Sequence, residues 1–473
     1  MSTISSTLQR TIIDQMLKLA TSDNQKGILL AARLAKKITP AHRKREVDWV
    51  IDQIREEKPI LQIARHVARD LNPTARKAVI QSLVVNGLLQ TSSKRAAFTE
   101  RTGAHAPLAL LISPTMRCNL ACEGCFAGEY SPDEDITPEM LQDIVDQANA
   151  IGMYIFTILG GEPFLRPDIL DLAARNPDSF FQVYTNGTLF TDSVIERLAQ
   201  IGNVAPMLSI EGDCEYTDMR RGEGVYDLIM QTMDKLGKAG VAFGYSATIM
   251  RRNFRDVISP EFVDALVAKG CMIGWNFLYM PVGRQPDMNL MLTAEERNEF
   301  REGVMKVRET QPLFAIDFWG DSVLVGGCIA AKWYLHITNE GWVEPCVFAH
   351  FATHNIKNST LEEAIMSPYF TEIRRRQPFN DNLLMPCMLI DNPHHSREIV
   401  AQTGAQPTHP GAEAMFTELA PKIDHYAAEV DRVYSRVWLC VSHSPLDTYT
   451  EERRATEAGQ ARHRAAPSGA PRT

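Results

Sequence analysis

Between about residues 106 and 320, short apolar runs alternate with longer stretches whose hydrophobic positions recur at helical spacing. The apolar runs predict six strands, and the stretches between them predict helices. The predicted strands are 108–113, 154–159, 180–184, 205–210, 244–249 and 274–279, and the helices lie near 138–150, 166–175, 192–199, 225–238 and 260–268. This alternation is typical of βα units around a parallel sheet, in which catalytic groups gather at the C-terminal ends of the strands.

Residues 1–105 are predicted to form a helical N-terminal extension. Further helices at about 44–56, 60–71 and 75–89 follow a first apolar face made of Leu8, Ile12, Ile13, Met16, Leu17 and Ala20. We interpret the extension as a helical layer packed on the catalytic domain. Two alternatives stay open, because 60–89 also fits a helix-turn-helix that binds nucleic acid and the first helix also fits a membrane surface.

The pattern changes after residue 320. Residues 321–411 predict a small C-terminal region with a hairpin at 337–343, and 412–441 predict a C-terminal helix. The tail 442–473 is rich in Glu, Arg, Ala and Pro and poor in large apolar residues, which predicts disorder.

Composition narrows the classes of function. The 473 residues are 45% hydrophobic and 23% charged, as in ordinary globular proteins. The net charge of −9 makes nucleic acid an unfavourable partner, and no apolar run reaches the roughly 20 residues that span a bilayer. Because a signal-peptide core is also missing, we expect a cytoplasmic protein, with association at a membrane surface as the alternative. Nine cysteines favour metal ligation in a reducing compartment over a disulfide framework.

Three of these cysteines stand together directly after the first predicted strand. Cys118, Cys122 and Cys125 have the spacing C-x3-C-x2-C. Iron–sulfur cubanes are usually held by four cysteines, so a local set of three indicates either a distant fourth ligand or an iron left open for a substrate. Zinc and three unrelated buried thiols are less favoured alternatives, because structural zinc usually shows paired C-x2-C knuckles or nearby histidines.

The cysteine motif resembles that of the radical SAM superfamily. The resemblance implies an α/β fold with a partial (β/α)6 TIM-like barrel over 106–320 and a [4Fe–4S] cluster bound by the three cysteines. It also implies that S-adenosyl-L-methionine (SAM) is cleaved by one electron to methionine and a 5′-deoxyadenosyl radical, which abstracts hydrogen from a substrate. One position departs from the family pattern, since Gly124 stands where an aromatic residue usually precedes the third cysteine.

The resemblance extends to the ends of the later strands. Two segments match family motifs. The turn that binds the amino group of SAM is matched by Gly160, Gly161, Glu162 and Pro163, and the Thr-Asn-Gly segment is matched at Thr185 and Asn186. The remaining candidate cofactor-binding residues, each at or after a strand end, are Ser209, Glu211, Arg220, Arg221 and Met280. A solvated helix start is the alternative for the two arginines, and a place in the core is the alternative for Met280.

Cysteines recur in the C-terminal region. Cys328, Cys346 and Cys387 resemble the opening of the SPASM and twitch domains, which implies one auxiliary [4Fe–4S] cluster. Its fourth ligand would be Asp391, a histidine or the substrate, and three structural thiols are the alternative. Asp317, an acid in an aromatic strand, is the candidate catalytic proton acceptor, with a satisfied buried carboxylate as an equal alternative.

These features predict a radical SAM enzyme that works with an electron donor such as ferredoxin or flavodoxin. The substrate class stays open between a peptide, with the N-terminal helices recognising its leader, and a lipid or other small molecule. The alternative function is an iron–sulfur sensor that binds nucleic acid through the N-terminal helices. The Gly-Gly-Glu-Pro turn argues against the sensor, because a sensor needs no amino-acid chelate.

Overall fold

The computed structural model describes residues 24–39, 44–90 and 92–441. The predicted first apolar face and the predicted disordered tail, 442–473, lie outside these residues. The described part of the N-terminal extension is helical, as predicted, with α1 (Gln25–Ile38), α2 (Lys44–Arg55), α3 (Pro59–Arg69), α4 (Pro73–Ala78) and α5 (Ser92–Thr102). Helix α4 continues into a π-helical stretch, Val79–Gln90, which we call the π segment.

Within the described residues, nine strands form one sheet in the order β7-β6-β5-β4-β3-β2-β1-β8-β9. They are β1 (Ala109–Ile112), β2 (Ile155–Ile158), β3 (Phe180–Thr185), β4 (Val204–Ser209), β5 (Gly244–Ile249), β6 (Ile273–Leu278), β7 (Phe314–Asp317), β8 (Tyr334–Ile337) and β9 (Val343–Glu344). Neighbouring strands pair in parallel, except that β9 pairs antiparallel with β8. The six strands predicted from the apolar runs are confirmed.

Helices connect the parallel strands and cover the sheet. They are α6 (Pro138–Ile151), α7 (Asp168–Arg175), α8 (Asp192–Ile201), α9 (Cys214–Arg221), α10 (Val225–Lys238), α11 (Phe254–Val257), α12 (Pro260–Ala268) and α13 (Ala294–Thr310). Two predicted helix starts are confirmed, because the Thr137 hydroxyl accepts from the Met140 N–H and the Thr191 hydroxyl from the Val194 N–H. No helix in the described part of the chain is long and apolar enough to cross a membrane.

The π segment closes the end of the barrel at which the strands begin. Val79 and Leu83 pack with Trp275 and the surrounding side chains of β3, β4 and β6. The Ser82 hydroxyl donates to the Pro177 carbonyl, just before β3, over 2.8 Å. The second helix of the predicted helix-turn-helix is therefore packed against the barrel and cannot enter a DNA groove, whereas the predicted helical layer on the catalytic domain is confirmed.

The C-terminal region is continuous with the barrel sheet. Strand β8 pairs with β1 from Ala109↔Tyr334 to Ile112↔Ile337, and the predicted hairpin is confirmed by the Ile337↔Val343 pairing of β8 and β9. Further elements are α14 (Ser322–Val325), β10 (Phe351–Ala352), α15 (Leu361–Ile365), α16 (Pro368–Arg376), α17 (Pro393–Thr403), β11 (Gln406–Pro407) and α18 (Ala420–Val441). The region 321–411 therefore supplies part of the sheet on which the first strand depends.

Candidate active site

The three clustered cysteines lie in the long connection between β1 and α6, here called the Cys loop (residues 113–137). Cys118 is exposed, whereas Cys122 and Cys125 are half-buried. Burial raises the pKa of the Cys118 thiol, and the neighbouring Cys122 and Cys125 raise it further. The three sulfur atoms therefore feel one another's charge, as ligands of one polynuclear centre must.

The predicted Gly-Gly-Glu-Pro turn, here called the GGEP turn, packs directly on the Cys loop. The Gly161 N–H donates to Thr115 O over 2.9 Å, and the Glu162 N–H donates to Arg117 O over 2.8 Å. A Cβ added at Gly161 would lie 2.1 Å from Arg117 O. Only glycine allows this approach, which fixes the position of Cys118 relative to Glu162.

Glu162 is fully buried and is the centre of a set of donors. Its carboxylate accepts from the Thr185 hydroxyl over 2.8 Å, the Asn186 N–H over 2.8 Å and the Phe164 N–H over 3.0 Å. Burial raises the pKa of Glu162, although these donors oppose the shift. The structure thus brings together Glu162, Thr185 and Asn186, while Pro163 is buried at the start of the following turn.

Asn119, which the sequence did not single out, ties the Cys loop to the end of β3. Its side-chain oxygen accepts from the Asn186 amide over 2.8 Å, and its own amide donates to the Thr188 hydroxyl over 2.9 Å. Asn119 lies between Cys118 and Cys122 in sequence, so these two hydrogen bonds fix the part of the Cys loop that carries both sulfur atoms. No local pattern marks such a residue, because its partners are 67 and 69 positions away.

Glu211 holds the two candidate arginines. Both guanidinium groups approach its Oε1 at 2.5 Å, and the Thr248 N–H donates to its Oε2 over 2.8 Å. Burial alone would raise the pKa of Glu211, but the charges of Arg220 and Arg221 outweigh it and hold the pKa below its usual value. The solvated helix start considered for these arginines is wrong, since they are the last two residues of α9 and their side chains are only 7% and 10% exposed.

Arg221 also reaches the cysteines. Its Nη1 lies 4.0 Å from the Cys122 sulfur. Burial lowers the pKa of Arg221, but Glu211 and the Cys122 and Cys125 thiolates raise it by more, so its charge is secure. Arg221 therefore places a fixed positive charge beside the candidate cluster ligands, where it offsets the negative charge of their thiolate forms.

Tyr279 supplies an aromatic ring beside the third cysteine. Gly124 has a φ of +59°, and a Cβ added to it would lie 2.5 Å from Tyr279 Cε2. The Tyr279 oxygen accepts from the Asp287 N–H over 3.0 Å, which holds the ring in place. A ring that the motif lacks at position 124 is thus provided from the end of β6, and Met280, the next residue, is buried in the hydrophobic core.

Replacing Gly124 with alanine is expected to displace the Cys loop. The new methyl group would meet the Tyr279 ring, and the left-handed backbone adds about 1 kcal/mol of strain. Iron content after anaerobic reconstitution should fall and should recover in part when Tyr279→Leu is added. Gly103→Ala is the matched control, because Gly103 has φ +75° and open space around it. Equal iron loss in both single variants would show that strain alone, and not the ring, is responsible.

Residues 112–258, from β1 to α11, match the family model of the Radical SAM superfamily. This segment is a radical SAM domain. Superfamily membership brings SAM and a [4Fe–4S] cluster as cofactors, and the donor set fits both. The three sulfur atoms lie on one loop, the GGEP turn is packed against it, and Glu162 offers a buried carboxylate for an amino group.

Curated relatives include enzymes of two kinds. Mycofactocin maturase MftC of Mycobacterium tuberculosis is 29% identical over 294 residues, which is 56% of this chain and 74% of the maturase. AdoMet-dependent heme synthase of Methanosarcina barkeri is 25% identical over 289 residues, which is 55% of this chain and 82% of the synthase. The similarity thus spans most of each relative.

Solved structures show the same fold. Streptococcus suis SuiB bound to precursor peptide SuiA aligns with a TM-score of 0.53 at 20% identity, over 63% of this chain and 75% of SuiB. Native anSMEcpe with bound AdoMet and Cp18Cys peptide aligns with a TM-score of 0.51 at 17% identity, over 68% of this chain and 99% of that protein. The predicted α/β barrel fold with a helical N-terminal extension is confirmed.

The barrel of this radical SAM enzyme encloses a lumen with aromatic walls. Side chains on the inner face of the strands are half-buried although helices cover the outer face of the sheet, so they keep accessible surface inside the barrel. They include Tyr184, Ser209, Trp275 and Phe277, with Phe318 after β7. The Tyr184 and Phe277 ring centroids are 6.0 Å apart, and those of Phe277 and Phe318 are 5.1 Å apart. Ser209 lies 3.3 Å from the Ser246 hydroxyl and adds a polar point to this wall.

The other three candidate cluster ligands also come together. Burial raises the pKa of the Cys328 thiol to about 12, and Cys346 is among its further causes; burial likewise raises the pKa of Cys387, and Cys328 adds to it. The Cys346 sulfur accepts from the Tyr334 hydroxyl over 2.8 Å and from the Phe348 N–H over 3.5 Å. Hydrogen bonds of this kind are typical of sulfur atoms that ligate iron–sulfur clusters.

Asp391 is already held by other partners. Its two oxygens accept from Arg297 over 2.6 and 3.2 Å, and Oδ2 also accepts from the Cys387 N–H over 3.0 Å. This arrangement does not support Asp391 as a fourth cluster ligand. Within the described residues, no three or more His, Cys, Asp or Glu side chains converge on a single-ion site.

Asp317 lies at the end of β7 and is bound by its own turn. Its Oδ1 accepts from the Trp319 N–H over 3.1 Å and the Gly320 N–H over 2.8 Å. Burial, followed by the nearby Asp321, raises the pKa of Asp317 to about 6. The geometry is that of a satisfied buried carboxylate, the second of the two interpretations considered from the sequence.

Replacing Asp317 with asparagine is expected to stabilise the fold at alkaline pH. The carboxyl holds its proton more tightly when folded, so its stabilising contribution is complete below about pH 4 and is lost as the pH rises through about 6. Asparagine keeps the two hydrogen bonds without the charge. As the pH rises from about 4 to above about 6, the unfolding free energy of the variant, measured with urea, should increase by about 3 kcal/mol relative to that of the wild type. A difference that does not change with pH would contradict the raised pKa.

Proposed function

We propose that this enzyme uses SAM at the Cys loop to abstract hydrogen from a peptide substrate held in the barrel lumen. The observation that carries the proposal is the packing of the Cys loop on the GGEP turn at the mouth of an open, aromatic-lined lumen. When bound, the cluster and SAM supply one electron and a sulfonium whose cleavage gives the 5′-deoxyadenosyl radical.

The surrounding residues bind and orient the cofactor. Glu162 accepts a hydrogen bond from the amino group of SAM, for which its buried, pre-ordered carboxylate is suited. Arg221 offsets the charge of the thiolate ligands near Cys122. The Tyr279 ring covers the loop beside Cys125 and limits the access of water. Thr185, Asn186 and Asn119 hold this arrangement rigid.

The lumen favours a substrate that carries hydrogen-bond acceptors. The indole nitrogen of Trp275 is buried and has no acceptor among the described residues. It packs near the floor formed by Val79 and Leu83, so it would gain a hydrogen bond if substrate binding turned the indole toward an acceptor. A peptide offers carbonyl groups along its whole length, whereas a hydrocarbon lipid chain offers none. SuiB and anSMEcpe, which share this fold, are each bound to a peptide in their solved structures, and this supports a peptide substrate.

Cys328, Cys346 and Cys387 are proposed to hold one auxiliary [4Fe–4S] cluster in a SPASM- or twitch-like region. An aromatic contact connects this set to the Cys loop. Phe126 follows Cys125 directly, Phe348 stands two residues after Cys346, and their ring centroids are 5.9 Å apart. The fourth iron site is left for the substrate or another ligand, because Asp391 is bound to Arg297.

The cofactor chemistry is tested by anaerobic reconstitution with iron, sulfide, dithionite and SAM. The protein should form 5′-deoxyadenosine without added substrate; no cleavage would refute the assignment. Iron counting on the Cys118→Ala/Cys122→Ala/Cys125→Ala variant tests the auxiliary site, since loss of all iron would refute a second cluster. Reduced ferredoxin or flavodoxin, the proposed electron donors, should support SAM cleavage in place of dithionite. If neither protein does so, both are excluded as donors.

The substrate class is tested with extracts of cells grown in deuterated water. Peptide and organic-soluble fractions are incubated separately with the enzyme, and deuterium in 5′-deoxyadenosine is measured by mass spectrometry. Label from the peptide fraction is the expected result. Label from the organic-soluble fraction alone would overturn the peptide proposal and leave the radical chemistry in place.

A further inference from the structure

A second cavity, of about 460 Å³, lies at the opposite edge of the sheet from the Cys loop. We call it the basic pocket, and its wall includes His105, Lys332, Met366, Thr371, Arg374 and Arg375. Residue 105 precedes β1 and residue 332 precedes β8, so the pocket is at the strand beginnings, whereas the Cys loop follows the strand ends. The four residues of β1, about 13 Å, separate the two sites.

Arg374 brings a largely buried guanidinium to this wall. It donates to Ala331 O over 3.1 Å, Ile365 O over 2.8 Å and the Thr371 hydroxyl over 3.2 Å. All three acceptors are neutral, and burial lowers the pKa of Arg374 to about 10. Ile365 is the last residue of α15, so Arg374 caps that helix with only partial compensation of its charge. Within the described residues Arg374 forms no ion pair.

Lys332 adds a second positive charge. In the part of the chain that the structure describes, its ammonium group has neither a hydrogen-bond nor an ion-pair partner. His105 lies next to Lys332, with its Nδ1 2.9 Å from Lys332 O, so its pKa is sensitive to the positive charges around it. Burial lowers the pKa of His105 to about 4, and the charges of Lys332, Arg374 and Arg95 contribute to that shift. A histidine kept neutral beside two cations indicates a site with excess positive charge.

Two carboxylates beside the pocket are already paired with arginines, and one of these arginines, Arg375, is part of the pocket wall. Glu362 pairs with Arg101 at 2.6 Å, and Glu372 pairs with Arg375 at 2.6 Å and Arg376 at 2.8 Å. Neither leaves a free negative charge for Lys332 or Arg374. In a protein of net charge −9, this local excess of positive charge favours an anion as the occupant of the pocket.

We propose that the basic pocket binds a small anion that carries a phosphate group. Guanidinium and ammonium groups together are a common phosphate-binding pair, and the Thr371 hydroxyl is a further donor. The cavity is larger than one phosphate and contains Met366, so it has room for an organic group beside the phosphate. Since the pocket opens away from the Cys loop, its ligand is an effector or an anchor and not the group that meets the radical.

The test measures the binding of three probes at constant ionic strength. They are inorganic phosphate, glycerol 3-phosphate and phosphatidylcholine vesicles that contain phosphatidic acid. Soluble probes are followed by calorimetry and vesicles by co-sedimentation, with the full chain in each case. Binding of the soluble probes identifies a free phosphate ester, and binding of the vesicles alone identifies a lipid headgroup.

Lys332→Glu should weaken whichever binding is found by at least about tenfold, because it reverses a charge at the wall. Lys306→Glu is the matched control, since it makes the same charge change on the exposed side of α13, outside the pocket. Neither lysine ammonium group forms a hydrogen bond or an ion pair within the described residues, so both variants should fold, as checked by thermal unfolding. Absence of binding for all three probes, or equal weakening in both variants, would overturn the proposal.

Discussion

Cys122→Ala is expected to abolish reductive cleavage of SAM. The substitution removes one of the three proposed cluster ligands on the Cys loop and leaves the Arg221 guanidinium without its neighbouring sulfur. The rate of 5′-deoxyadenosine formation should fall by at least about a hundredfold, because losing a ligand costs more than losing its supporting contacts. Chromatography of anaerobic reactions with dithionite measures the product directly.

Cys214→Ala is the matched control for that loss. Cys214 is an exposed cysteine at the start of α9, and its thiol donates a hydrogen bond to Asp218. Its replacement should leave both iron content and product formation unchanged. Full activity of Cys122→Ala, with iron content equal to that of Cys214→Ala, would exclude the Cys loop as the cluster site.

Glu211→Gln is expected to cause the largest loss of stability. Its carboxylate, 1% exposed, balances two buried guanidinium groups. Removing one partner of a buried ion pair typically costs about 3–5 kcal/mol, because the remaining charge stays buried without compensation. Here Arg220 and Arg221 lose their shared partner, and Arg221 lies beside Cys122. SAM cleavage should therefore fall along with the unfolding free energy measured in urea.

Glu299→Gln is the matched control for Glu211→Gln, because it removes the same charge from an ion pair at the protein surface. Glu299 binds Arg255 through both oxygens at 2.7 and 2.8 Å, but this pair is on the surface. Its replacement should have a much smaller effect, since water solvates the arginine that is left. Similar destabilisation by both substitutions would mean that the buried position of Glu211 contributes nothing of its own.

Much of the barrel could be predicted because each unit has a local signature. Buried parallel strands are short apolar runs, and their helices begin at capping residues such as Thr137 and Thr191. The Cys loop and the GGEP turn were predictable for the same reason, since each is a short contiguous motif. Their mutual packing then followed from strand order, which places neighbouring strand ends at one edge.

Contacts between distant segments could not be predicted in this way. Pairing of β8 with β1 joins residues more than 200 positions apart. The inward packing of the π segment depends on side chains of β3, β4 and β6, so its apolar face alone did not distinguish a barrel floor from a DNA-binding helix. Likewise, the arginines after β4 were predicted near the cofactor, but only the fold shows that Glu211 binds them both.

Strand β1 has β2 on one side and β8 on the other. During synthesis, residues 109–112 leave the ribosome long before residues 334–337 are made. Until then, one edge of the strand that leads into the Cys loop has open backbone donors and acceptors, which invite pairing with other chains. Maturation with iron is therefore best timed after release of the full chain, and shortened chains that end before β8 should aggregate.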